Sequence, residues 1–585
     1  MNGLKTRWTD TVDTERPLPE YPRPQLVRND WQCLNGRFEF TITGKTDDIP
    51  QDFDEEIIVP FAPECYLSGI GRTIEPEDYL WYRKKFILDD CFEGKRCILH
   101  FEAVDWRCIV YFNGKPVGTH QGGYIPFCFD VTEYVKEGYN ELVVRVNDPT
   151  ETGWQDRGKQ VRQSKGFWYT ATSGIWQSVW LEPVNEKHIE NIRFTPDIDD
   201  SSIEIETKVK YSEDTQLRAI IKKGDTVVFA GQISADETVI IKDVRLWSPE
   251  DPFLYDIVIA LCNENGEIYD VVSSYFGMRK FSIGYDDKAI PRLYLNNKPY
   301  FQTGLLDQGY WPDGGMTPPC DEAMIFDIQE MKNLGFNMLR KHIKIEPRRW
   351  YYHCDKIGMI VWQDMVCGAK KIDMFFVGVL PNMFIRRIPD DHYKWFGVDN
   401  AECRSEHEQA VFDTIDHLYN CTSIGCWVPF NESWGQFDAK RIGEMVREED
   451  MTRIVDHASG WHDQKGPELK SIHQYVLPFI LPKGDGRPIV LSEFGGYSRI
   501  IENHVWNREK SFGYVMYKTK ETLTKAYKRL FEKQIIPNIK KGLSATVYTQ
   551  VSDVEFEVNG IYTYDRELLK IDADTIREIN SKLKY

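Results

Sequence analysis

The 585-residue sequence contains no apolar run of about 18 residues, so no membrane-spanning helix is expected. Its opening stretch, residues 1–30, is polar and proline-rich and has no apolar core of a secretion signal. It reads as a surface arm, and the expected location is the cytoplasm. No pair among the 13 cysteines has C-x-x-C spacing, which excludes zinc-ribbon and dithiol-redox motifs. The thiols are expected to be reduced and mostly buried. Positive charge is short: 72 Lys and Arg face 91 Asp and Glu, for a net charge of −19. Such a chain repels phosphate backbones and anionic lipid, so neither nucleic acid nor a membrane is expected as a partner. No G-x-S-x-G elbow is present, which removes the common serine-hydrolase arrangement. No cluster has convincing metal-ligand spacing, so no metal and no other cofactor is expected.

The chain is too long for one hydrophobic core, so two to four domains are expected. From Leu34 to Val184 short alternating strands dominate, such as GRFEFTI at 36–42 and CIVYFNGKPVG at 108–118. Asn113-Gly114 is a strong hairpin signal. Residues 1–184 therefore read as a jelly-roll-like β-sandwich with its arm. Residues 185–283 show further strands every 8–12 residues, the pattern of an immunoglobulin-like sandwich. From 284 to 585 helical runs alternate with short apolar strands near 299–305, 337–342, 359–364, 424–430, 452–456, 471–474, 488–493 and 543–549. Eight such strands predict a (β/α)8 TIM barrel, with a long insertion at 366–398.

Barrel enzymes carry their chemistry at the C-terminal ends of the strands. Two ends stand out: IGCWVPFNESWG at 424–435, running into Asn431-Glu432, and PIVLSEFGG at 488–496, running into Glu493. A carboxylate ending a buried apolar run is costly without a partner or a task. Two of them converging over a barrel axis suit retaining glycoside hydrolysis, in which one attacks and the other shuttles a proton. A barrel-rim cap or a salt bridge is the structural alternative for either glutamate alone. The aromatic content of 13% fits well-filled β cores, with some rings available to stack on sugar faces.

The motifs are similar to those of glycoside hydrolase family 2, the family of β-galactosidases, β-glucuronidases and β-mannosidases. NGKPVGTHQGGYIPFCFDVT at 113–132 and SGIWQSVWLEPV at 173–184 resemble its sugar-binding-like domain. LNNKPYFQTGLLDQGYWPDG at 295–314, DIQEMKNLGFNMLRKHI at 327–343 and WYYHCDKIGMIVWQDM at 350–365 resemble its first three barrel strands. YNCTSIGCWVPFNES at 419–433 resembles its acid/base signature, and PIVLSEFGG its nucleophile signature. The resemblance implies Glu432 as acid/base and Glu493 as nucleophile. It further implies Arg340, His342 and Asp364 around the sugar, and Asn431 on its 2-hydroxyl. Asp307 is a candidate acceptor for a sugar hydroxyl, and Trp311, Trp434 and Tyr475 are candidate site walls.

The strand-one run LLDQGYWPDG lacks the His- and Glu-rich character usual in β-galactosidases. The stretch DVEFEVNGIY at 553–562 lacks the Asn-x-Lys clamp of β-glucuronidases and offers acids, of which Asp553, Glu555 and Glu557 are candidate hydroxyl acceptors. The expectation is a retaining exo-β-glycosidase acting on neutral terminal sugars of small glycosides, β-galactosidase-like. Other glycosides of the family and a non-catalytic carbohydrate-binding protein are the alternatives. A small carbohydrate is the expected partner, and the family's frequent homo-oligomers leave that state open.

Overall fold

A computed structural model describes residues 3–46, 48–370, 373, 375–380 and 387–585. The first sandwich pairs a six-stranded with a four-stranded antiparallel sheet. Its core includes Phe38, Phe40, Tyr82, Leu99 and Val144, from strands whose alternate positions face inward. The expected hairpin turn lies at Asn113 (φ 50°) and Gly114 (φ 77°), where the mirror-image turn requires two positive φ values. The second sandwich packs a three-stranded sheet on a four-stranded one, beginning at His188–Asp197 and ending at Ile268–Phe276.

The barrel strands are β1 (Gln302–Asp307), β2 (Met338–Lys341), β3 (Ile360–Asp364), β4 (Ile424–Val428), β5 (Ile454–Val455), β6 (Lys470–Gln474), β7 (Ile489–Gly495) and β8 (Leu543–Thr549). They form one parallel sheet in the order 5-4-3-2-1-8-7-6, so β1 and β8 pair and the seam lies between β5 and β6. Inward positions Leu306, Met338, Trp362, Val428, Val490 and Val547 fill the lower barrel, against Phe281 and Leu293 of a hairpin, Phe281–Tyr285 with Pro291–Leu295, that closes its base.

Helices α1 (Asp321–Asn333), α2 (Arg348–Ile357), α3 (Ala401–Leu418), α4 (Ala439–Glu449) and α5 (Lys520–Leu530) follow β1, β2, β3, β4 and β7. Asn400 caps α3 by accepting from the Glu402 amide at 2.8 Å, and Gly358 (φ 82°) ends α2. Among the described residues no helix follows β5 or β6. Two ordered segments, 456–469 and 475–488, cover that side instead. Of the expected insertion at 366–398, residues 371, 372, 374 and 381–386 lie outside the described residues.

Candidate active site

Strand alternation decides which side chains reach the mouth of the barrel. On β2, Arg340 points inward and Lys341 outward. The Arg340 side chain is fully buried, and burying a lone guanidinium is prohibitive unless it is paired. It is paired on all sides. Nε donates to Asp364 Oδ1 at 2.8 Å and Nη2 to Asp364 Oδ2 at 3.1 Å. Nη2 also reaches Asn431 Oδ1 at 2.8 Å, and Nη1 reaches Glu493 Oε1 at 3.1 Å. One guanidinium thus ties together the ends of β2, β3, β4 and β7. Burial pushes the Asp364 carboxyl up, and the facing Arg340 offsets this. His342 Nδ1 lies 2.7 Å from Asp364 Oδ2. Burial, followed by the charge of Lys159, holds this imidazole well below its ordinary pKa. It is therefore neutral, with Nδ1–H donating to Asp364 and Nε2 left as an acceptor.

Glu493 ends β7, buried and ionised. Burial alone would raise its carboxyl, but His473, His342, Arg340 and the phenol of Tyr475 outweigh it and bring the pKa down to about 2. Tyr475 donates to Glu493 Oε2, and His473 Nδ1 lies 3.6 Å from the same oxygen. Glu432 sits on a left-handed turn, with φ 46° here and 70° at Ser433, which lifts its side chain off the sheet. That side chain is 26% exposed, against 4% for Glu493. Its Oε1 lies 2.7 Å from His473 Nδ1. One oxygen of each glutamate and the ring nitrogen between them lie within 4.8 Å of one another. That spacing is also compatible with a cation, although the ring nitrogen of His473 already lies 2.7 Å from Glu432 and Arg340 lies 3.1 Å from Glu493.

Aromatic rings wall the mouth. Tyr475 stacks on Tyr514 at 3.9 Å, and Tyr514 meets Phe512 edge-on at 5.4 Å. Phe512 meets Phe167 at 6.0 Å, and Trp168 meets Trp434 at 4.9 Å. Phe167 and Trp168 belong to the first sandwich, whose segment 154–172 lies across the barrel. Gly158 N donates to Cys367 O at 3.1 Å, and Arg157 Nη1 to Ala369 O at 2.9 Å.

Of the residues chosen from sequence, Glu432, Glu493, Asn431, Arg340, His342, Asp364, Tyr475 and Trp434 converge. Asp307, Trp311 and Glu555 do not. Asp307 pairs in register with outward-facing Lys341, whose Nζ it binds at 2.8 Å behind the barrel wall. Trp311 is packed between Arg566, 4.1 Å from its ring, and Trp8 of the N-terminal arm. Glu555, on a left-handed turn (φ 48°), is directed to the first sandwich and accepts from the Thr170 amide at 2.8 Å. Of the other two acids of that stretch, Asp553 accepts from Lys570, whereas Glu557 accepts from Tyr169 at one oxygen and from Asn559 at the other at 2.8 Å, and its charge bears on Tyr514 together with those of Glu432 and Glu493. His473, on β6, is the group between the glutamates. Lys159, Trp168 and Tyr514 gave no sequence signal.

Three family models match the chain: "Glycosyl hydrolases family 2, sugar binding domain" over 70–184, "Glycosyl hydrolases family 2" over 187–279 and "Glycosyl hydrolases family 2, TIM barrel domain" over 290–479. A β-galactosidase of Thermoanaerobacter pseudethanolicus is 30% identical over 334 residues, covering 54% of this chain and 43% of the relative. A putative β-glucuronidase of Formosa agariphila is 28% identical over 298 residues, covering 49% and 34%. The chain thus spans under half the length of these relatives. In fold, a β-D-glucuronidase of Dictyoglomus thermophilum superposes with a TM-score of 0.75 at 17% identity, covering 96% of this chain and 99% of that one.

Proposed function

The chain belongs to glycoside hydrolase family 2, and from that premise we propose that it is a retaining exo-β-glycosidase with Glu493 as nucleophile and Glu432 as acid/base. The observation that carries this is the approach of the two carboxylates to within 4.8 Å, close to the roughly 5–5.5 Å of retaining enzymes and well short of the roughly 6.5–9.5 Å of inverting ones. Their environments also divide the labour. Glu493, ionised and buried, attacks the anomeric carbon. Glu432, on the more open side, gives its proton to the departing oxygen as the C–O bond breaks. A glycosyl ester on Glu493 results. Glu432 then takes a proton from water, whose oxygen displaces Glu493. Arg340 holds Glu493 and Asn431 in one frame, and Asn431 is placed for the sugar 2-hydroxyl.

The substrate we infer is a neutral terminal sugar on a small glycoside, with β-galactosides the first to try. Glu557 and Asn559 support this choice: a carboxylate at the sugar edge accepts from hydroxyls and repels a uronate. A panel of nitrophenyl glycosides tests the reading. Turnover of at least one, lost in Glu493→Ala, is the expected result. Near-normal rates in that variant would overturn the nucleophile. Glu432→Ala should lose about 10²–10⁴-fold on alkyl glycosides, and far less on aryl glycosides whose leaving group needs no proton.

A further inference from the structure

Lys159 is a half-buried cation with no carboxylate in ion-pair range among the described residues. Its neighbours in segment 154–172 are committed: Arg157 to main-chain carbonyls and the Trp434 ring, Arg162 to Glu151 and Glu75. The position of Lys159 is nonetheless fixed. Tyr169 N donates to Lys159 O at 2.9 Å, and Gln160 Nε2 anchors the next residue to Asp105 at 2.8 Å and to Tyr124 at 2.9 Å.

Two observations place the ammonium at the sugar. Nζ lies 5.5 Å from the ring of Tyr169, the residue whose hydroxyl holds Glu557. Nζ also lies 6.0 Å from the ring of Phe167, which meets Phe512 in the aromatic wall of the mouth, and its charge helps to lower the His342 pKa. Lys159 therefore stands at the wall of the pocket, beside the Tyr169–Glu557 pair. A partly desolvated ammonium without acceptors is unfavourable unless a ligand supplies them. A carboxylate could do so, but Glu493 and Glu557 would oppose a further anion. Hydroxyls meet no such opposition.

We propose that Lys159 donates hydrogen bonds to ring hydroxyls of the terminal sugar, opposite Glu557, so that two domains share recognition of the sugar. This rests on the glycosidase reading above and adds a specificity-determining residue to it. The test uses the sugar that the nitrophenyl panel selects, with its monodeoxy analogues, on the full-length protein. Wild type should lose about 10- to 100-fold in kcat/KM when the hydroxyl held by Lys159 is removed, the worth of a charge-assisted bond. Lys159→Met should lose a similar factor on the parent glycoside and almost nothing more on that analogue. Lys159→Arg should recover part of the loss. Deoxygenation penalties that multiply unchanged in Lys159→Met overturn the proposal, as does a parent rate within about 3-fold of wild type. A uronide that wild type prefers and Lys159→Met rejects would overturn it too, because the ligand would then be a carboxylate. Unfolding midpoints check each variant, and Lys159→Gln replaces the methionine if that one fails to fold. A silent panel sinks the catalytic reading and this inference together, whereas a panel hit with multiplying penalties sinks only Lys159.

Discussion

Arg340 shows how much a single side chain can organise. It binds Asp364, Asn431 and Glu493 at once, from a fully buried position. Removing it takes the guanidinium away from two buried carboxylates, a loss of roughly 3–5 kcal/mol. It also removes one of the charges that hold Glu493 near 2. The ordinary carboxyl value is 4.5, so the depressed group contributes stability above pH 4.5, and that contribution fades as pH falls toward 2. In wild type the acid limb of kcat/KM is therefore not set by Glu493. In Arg340→Gln it moves upward, because the nucleophile then protonates at higher pH. A pH profile of kcat/KM for both proteins checks this, and coincident acid limbs would contradict it.

At the scale of elements, segment 154–172 depends on Gly158. Its φ is 63°, and a Cβ there would lie 2.8 Å from Ile343 O. Gly158→Ala must therefore shift the segment that carries Lys159 and Trp168. The expected outcome is a fall of at least about 10-fold in kcat/KM, with about 1–2 kcal/mol lost in unfolding stability. Wild-type kinetics in that variant would detach the segment from the site.

All eight barrel strands and the helices beside five of them were legible in the sequence, because apolar runs and 3.6-residue periodicity are local signals. The glutamates were legible for the same reason: each ends such a run. Asp307 misled because nothing in the chain states on which side of the sheet its last residue emerges, and register with Lys341 turns it outward. Glu555 and Glu557 are equally acidic in sequence, and the left-handed turn at Glu555 is what separates their directions. Lys159 lies in the polar run RGKQVRQSKG, which reads as solvated loop. Its approach to the barrel mouth comes from a different domain, so no local pattern encodes it.

Across the whole molecule, the first sandwich is joined to the barrel through buried polar contacts, such as Thr317 Oγ1 donating to Trp176 O at 2.7 Å, and it holds further buried polar groups within itself. Glu64, in a loop of the sandwich, accepts from the Ser173 amide at 3.1 Å, and burial pushes its carboxyl up to about 8. A raised folded-state value means that the proton is held more tightly in the native protein. The stability this brings is full below the ordinary value of 4.5 and is lost as pH rises through about 8. The unfolding midpoint of wild type should fall over that window, by roughly 1–3 kcal/mol in stability, and Glu64→Gln should flatten the fall. A slope unchanged in the variant would assign the effect elsewhere. The segment reaching from the sandwich into the barrel mouth has a further consequence, in time. The glutamates are brought together within the barrel, whereas Lys159 and Trp168 reach its mouth from the sandwich. During refolding, the full rate on the proposed substrate should therefore return only once sandwich and barrel are docked, which makes turnover a clock for domain assembly.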